Sequence, residues 1–171
     1  MTTLPKLDEF RTAFIGAGNM ARSIIGGMLA AGIDPSRVSA ADPLATNLDA
    51  LKTLGLDRVT PANISLLPEA DAVLLAVKPQ VMQSVCRELA PVLGGDHLVI
   101  SIAAGISTAS LRDWLGDDPR IVRCMPNTPA LLRAGATALY SGMPLSDDQQ
   151  AMAEAILGSV GQVCWVEEET L

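Results

Sequence analysis

Between Thr12 and Ala21 an apolar run, Thr12-Ala13-Phe14-Ile15, passes straight into Gly16-Ala17-Gly18 and then into Asn19-Met20-Ala21, which opens a helix-like segment. Few folds use that order. A tight turn out of a buried strand needs a conformationally permissive residue, which Gly16 supplies. A backbone that a bulky anion must approach needs a position without a side chain, which Gly18 supplies. Ala21, at the third place of GxGxxA, is small enough for close helix-on-strand packing. The N–H groups opening the helix then face the turn, where backbone donors and the helix dipole hold a pyrophosphate. The segment predicts the first turn of a dinucleotide-binding unit, with Gly16, Ala17, Gly18, Asn19 and Met20 around the phosphates. A strand-to-helix turn without a ligand has the same residue order, so the rest of the chain must decide between the two.

Strand and helix signals alternate along that remainder. Strands are predicted at Thr12 to Gly16, Val38 to Ala41, Asp57 to Thr60, Ala72 to Val77, Leu98 to Ile102 and Arg120 to Cys124. Two later ones fall at Ala134 to Tyr140 and Gln162 to Val166. The uniformly apolar AVLLAV run fits a central parallel strand covered on both faces. Helices are predicted from Asn19 to about Ala31, along Leu44, Leu48, Leu51 and Leu54, and from Pro79 to about Leu93. Two more run from Ser107 to Leu115 and from about Asp147 to Leu157. This order implies an α/β fold with a doubly wound, mostly parallel sheet, a Rossmann-like dinucleotide-binding domain over residues 1–171.

Ligands of such sheets bind beyond the carboxyl ends of the strands. The chain places there the glycine turn, Asp42, Lys78 with Pro79, Ala103-Ala104-Gly105, and Met125-Pro126-Asn127-Thr128-Pro129. Asp42 stands where an acid bonds the ribose 2′-OH of NAD and repels a 2′-phosphate, and Pro43 stands where an arginine would help NADP. The residues at this point favour NAD.

Composition excludes several partners. A net charge of −7 argues against nucleic acid and against anionic membrane surfaces. Cys86, Cys124 and Cys164 are dispersed, without a CxxC pair, and His97 is the only histidine, so neither a metal site nor a disulfide framework is expected. They read as three reduced thiols filling small apolar spaces in a cytoplasmic protein. The amino terminus shows no basic-then-apolar leader, and no apolar run approaches membrane-spanning length. His97, in a glycine turn at the amino end of a strand, reads as a surface loop residue on the wrong edge of the sheet.

The rim segments resemble those of the pyrroline-5-carboxylate reductases, the enzymes of the last step of proline synthesis. GAGNMA at Gly16 to Ala21, AVKPQ at Ala76 to Gln80, SIAAGI at Ser101 to Ile106 and RCMPNTPA at Arg123 to Ala130 are similar to that family's motifs and stand in its order. GAT at Gly135 to Thr137 and the VGQVCWVEEE segment continue the match. The resemblance implies hydride transfer from NADP or NAD, as NAD(P)H, to the C=N carbon of 1-pyrroline-5-carboxylate. Many members accept NADP, so the cofactor choice stays open against the reading of Asp42. In that family a second, helical domain follows, carrying the dimer interface and much of the substrate pocket, and it is expected to be absent from this chain. The expected object is the cofactor half of a homo-oligomeric enzyme, monomeric alone, binding cofactor but turning over poorly.

The resemblance also implies residue roles. Ala76 and Lys78 meet the ribose and nicotinamide half of the cofactor, with a solvated lysine as the alternative for Lys78. Asn63 meets the adenosine end or serves as a helix N-cap. Ala103 and Ala104 border the nicotinamide, since small side chains let a flat ring approach the backbone. Asn127 and Thr128 line the same mouth beside the substrate, with a proline-bounded turn as the alternative. Glu167 to Glu169 mark the approach to the second domain, or a solvated acidic end. No catalytic acid or base is assigned, because a protonated imine asks mainly for positioning. Two further readings remain: another imine or F420-type reductase, and a dinucleotide-binding module without turnover.

Overall fold

Strands β1 (Thr12–Ile15), β2 (Val38–Ala41), β4 (Ala72–Leu75) and β5 (Leu98–Ser101) are buried at every position. That is the physical meaning of their unalternating apolar sequence, because helices cover both faces of the sheet. The computed structural model describes residues 9–171; the stretch read above for a leader lies largely outside them. The short β3 (Val59–Thr60) forms one edge, and β6 (Arg120–Pro126), β7 (Gly135–Tyr140) and β8 (Gly161–Trp165) complete an eight-stranded sheet in the order β3-β2-β1-β4-β5-β6-β7-β8. Every pairing is parallel except that of β6 with β7.

Alternate residues of each strand feed two cores. Phe14, Leu74, Ile100 and Val122 pack with α1 (Asn19–Ala30), α2 (Ala45–Thr53) and α5 (Asp147–Gly158) through Ile24, Met28, Leu51 and Ile156. Ile15, Val73, Leu75 and Val99 face the other way, against Met82, Cys86 and Leu89 of α3 (Pro79–Leu89) and Leu111 and Leu115 of α4 (Thr108–Leu115). The strand order reverses between β1 and β4, which opens a crevice at their carboxyl ends beside the Gly16 turn.

Most predicted boundaries hold within two residues, and the exceptions are instructive. α3 stops at Leu89, short of Leu93, which is nonetheless buried in the turn that follows. β6 runs two residues past Cys124, through Pro126, because its last partner on β5 pairs with Arg123; beyond it the missing N–H of Pro126 meets no neighbouring strand on that side. The β6–β7 hairpin thus stands above the rim and closes over a 3-10 turn, Thr128–Leu132, that packs on α1.

His97 is not a surface loop residue but a half-buried tie. Its Nδ1 accepts the Gly94 N–H at 3.0 Å, which leaves Nε2 to donate to the Leu67 carbonyl at 3.2 Å. Cys86 and Cys124 are buried as expected, whereas Cys164 is exposed and fills nothing. Burial pushes the Cys86 thiol up to about 11 and raises that of Cys124 as well, so both stay protonated at neutral pH.

Candidate dinucleotide-binding site

The two glycines of the first turn do different work. Gly16 has φ +99°, and a Cβ there would lie 2.6 Å from the Ala76 carbonyl oxygen, while its N–H donates to the Ala41 carbonyl at 2.8 Å. The fold itself requires glycine at this position. Gly18 has φ −71° and ψ −171°, a backbone any residue adopts, and a Cβ there would meet nothing within 4 Å. Nothing in the chain explains glycine at 18; the open space outside it is the cradle a side chain would fill. That fits a pyrophosphate lying against the backbone.

The helix starts fall into two groups. α4 and α5 carry side-chain caps, Ser107 accepting the Ser110 N–H and Ser146 forming a reciprocal box with Gln149. α1, α2 and α3, whose N-termini lie on the crevice side, have Gly18, Leu44 and Lys78 at the cap and no side-chain cap bond. The first-turn N–H groups of a helix lack intrahelical acceptors, so those of α1 remain for a ligand.

Ala17 departs from its expected part. Its N–H donates to Asp42 Oδ2 at 2.9 Å and is therefore not aimed at a phosphate. Asp42 is buried at 6% exposure; Oδ2 also accepts from the Asn47 amide at 3.1 Å, and Oδ1 accepts the Leu44 N–H at 2.8 Å. The carboxylate expected to reach a ribose is thus a brace that fixes the glycine turn to β2 and to the start of α2. It stays at the rim position read for it, with its charge held in place.

The other predicted residues gather on the same rim. Ala76 follows β4 half-buried, its N–H bonded to the Ile15 carbonyl, and the exposed Lys78 makes no ion pair among the described residues. After β5, Ala103 turns inward into the core and Ala104 faces outward. Asn63 is not an N-cap: Ala62 holds that place in the 3-10 segment Asn63–Glu69, and the Asn63 amide donates to Glu88 of α3 at 3.2 Å. Asn127 and Thr128 are exposed, and Asn127 Oδ1 accepts the Ala136 N–H at 2.9 Å, closing the hairpin. Leu44, Ile64, Val81 and Leu132 are exposed around this rim, an apolar fringe that periodicity alone does not reveal.

Sequence reasoning missed one cluster. Glu168, read as part of an acidic run, folds back so that Oε1 accepts the Thr108 N–H and hydroxyl, both at 2.8 Å, and lies 3.4 Å from the buried Arg123. An arginine between Val122 and Cys124, inside the apolar part of the strand, was the available signal. Burial disfavours the Glu168 charge, yet the Thr108 bonds and the Arg123 guanidinium outweigh it and hold the carboxyl below its usual range. A depressed folded value means that the stabilisation is present above the unfolded value of 4.5 and is lost as pH falls through the folded one. Glu168→Gln is expected to lower stability by about 1–2 kcal/mol at neutral pH, with the gap to the parent chain closing as pH falls from 4.5 through the depressed folded value. Thermal unfolding of both chains across that range checks it, and a gap that does not vary with pH would remove the ionic role.

Comparison with known proteins places this geometry. Residues 11–105 match the family model described as NADP oxidoreductase coenzyme F420-dependent. The chain belongs to that family. It is 46% identical over 159 residues to a pyrroline-5-carboxylate reductase of Pseudomonas aeruginosa, which covers 93% of this chain and 58% of the relative. The structure of a pyrroline-5-carboxylate reductase from Coxiella burnetii superposes with a TM-score of 0.89 at 43% identity, covering 94% of this chain and 60% of that one. A Plasmodium falciparum pyrroline carboxylate reductase with NADP bound gives 0.82 at 25% identity, covering 95% and 59%. The family member described here therefore spans about three fifths of the length of these relatives, and its likeness to the pyrroline-5-carboxylate reductases, read from the motifs, is borne out. Among the described residues no helix is long and apolar enough to cross a membrane, and no cluster of metal-ligating side chains occurs.

Proposed function

We propose that this chain is the nucleotide-binding part of a reductase that reduces the C=N bond of 1-pyrroline-5-carboxylate to give L-proline. The observation that carries the reading is Gly18, a glycine the fold does not need, facing open space at an uncapped helix start on the rim that also bears Lys78, Ala104 and Asn127. Similarity to the reductases extends past the family model: RCMPNTPA and VGQVCWVEEE lie beyond residue 105, where the broader family match ends. That favours the proline enzymes over an F420-type reductase.

A bound nicotinamide, of NADP or NAD, supplies the hydride. The chain supplies placement. Gly18, Asn19 and Met20 hold the pyrophosphate by backbone donors. Ala76 and Lys78 hold the nicotinamide ribose, Asn63 stands at the adenosine end, and Ala104 borders the ring, while Ala103, expected beside it, is buried in the core behind. Asn127 and Thr128 overhang the mouth where the imine is presented. Holding imine carbon and ring in register lowers the barrier by several kcal/mol, about 7 or more in well-oriented systems, and that is asked of the two parts of the enzyme together. The chain is taken as a cytoplasmic part that binds the cofactor.

Fusing residues 1–171 to the remaining segment of the Pseudomonas aeruginosa relative, and following NAD(P)H oxidation with 1-pyrroline-5-carboxylate, tests this. Turnover by the fusion, absent in the chain alone, is expected. A folded fusion that binds NAD(P)H yet leaves the imine untouched would refute the substrate.

A further inference from the structure

Beside the glycine turn runs a groove of about 590 Å³ that starts at Asn19 and is otherwise lined by residues none of the roles above uses. Ser23 and Gly26 of α1 form its floor, Ala50 of α2 one wall, and Leu131 and Arg133 of the β6–β7 loop the other. Arg22 lies in it as well. In a chain of net charge −7, Arg22 and Arg133 stand there without an ion-pair partner among the described residues. Arg22 is not loose: its Nη2 donates to Asn19 Oδ1 at 2.6 Å, which draws the guanidinium toward the first turn of α1, the end that carries Gly18.

The α2 wall leads to the same place. Asn47, one helical turn before Ala50 and on the same side of α2, donates to Asp42 Oδ2. The α2 wall of the groove thus continues, one turn up, to the residue that holds the buried carboxylate at the close of β2, the place for the adenosine ribose of a dinucleotide on the glycine turn. A 2′-phosphate at that point feels two opposed charges. Asp42 repels it, though three hydrogen bonds from the chain already draw on its oxygens. A guanidinium with a planar fork attracts it through charge-assisted bonds.

The geometry points to Arg22 as the residue that receives the 2′-phosphate of NADP. This rests on the reading of the chain as a nucleotide-binding part. Pro43 leaves no cation directly after β2; α1 provides it instead, from across the groove. The site then accepts NADP in spite of Asp42, and Asn19 acts as the positioning residue that keeps the guanidinium at the top of the groove. Arg133, on the far wall, adds field without contact.

Calorimetric titration of the 171-residue chain with NADPH, NADH, adenosine 2′,5′-bisphosphate and 5′-AMP tests the inference. Arg22→Ala is expected to weaken NADPH and the bisphosphate about tenfold while NADH and 5′-AMP change by less than about twofold. Arg22→Lys should recover part of the loss, and Arg133→Ala should move the NADPH to NADH ratio far less. Added salt should lower that ratio in the parent chain but not in Arg22→Ala, where the Asp42 repulsion is what remains to be screened. Equal losses for both cofactors, or no loss for either, would overturn the assignment to Arg22 while leaving dinucleotide binding standing. A parent chain that binds none of the four probes would instead overturn the function proposed above, and this inference with it.

Discussion

Gly18→Val is expected to abolish binding of NADPH and NADH, with affinity falling at least about a hundredfold, while the chain keeps its circular dichroism and unfolds within about 1 kcal/mol of the parent. Both halves follow from one observation. The φ and ψ of Gly18 lie where valine is comfortable, and a Cβ there touches no atom of the protein, so the folded state barely registers the change. The same branch occupies the space through which a pyrophosphate reaches the α1 N–H groups. Calorimetry beside a urea melt separates the two halves. Undiminished affinity in a folded Gly18→Val chain would end the assignment of this turn to a dinucleotide.

Two residues earlier the outcome reverses. Gly16→Ala is expected to cost about 3 kcal/mol or more of stability, enough to shift the urea midpoint well below that of the parent. Alanine at φ +99° is strained by itself, and its Cβ would be 2.6 Å from the Ala76 carbonyl oxygen and 2.8 Å from the carbon behind it. Relief requires β1 and the end of β4 to part, at the centre of the sheet. Any loss of cofactor affinity in this variant should track the unfolded fraction. A midpoint equal to the parent's would contradict the contact between the turn and Ala76.

The difference between those two glycines shows what a sequence exposes. That Gly16 and Gly18 bracket a turn was legible, because strand, turn and helix are adjacent in the chain. So was the division between them, Gly16 for the turn and Gly18 for the ligand; the contact that forces glycine at 16 was not, since it lies with Ala76, sixty residues on from Gly16. The doubly wound sheet was legible for the same local reason: AVLLAV and its neighbours carry their double burial as unbroken apolar runs. Leu44 was counted into the α2 stripe by spacing, but it precedes the first helical residue and is exposed, and the buried stripe is Leu48 and Leu51. The tie from Glu168 to Thr108 and Arg123 spans 60 and 45 residues, and no periodicity encodes a bond of that length. Asp42 was found by its offset from the glycine turn, whereas its hydrogen bonds depend on the path of the loop around it.

Asp42 carries a consequence for how fast a ligand arrives. Loops that wrap a cofactor often wait for it in many shapes, and the ordering cost is then subtracted from affinity. Here the Ala17 N–H, the Leu44 N–H and the Asn47 amide converge on one buried carboxylate with no ligand involved, so the turn holds its receiving shape in advance. Binding becomes the docking of a solute onto a finished surface, with encounter rather than rearrangement setting its pace. The residue read from the sequence as a partner for a dinucleotide's ribose is also the one that has already settled the loop's entropy.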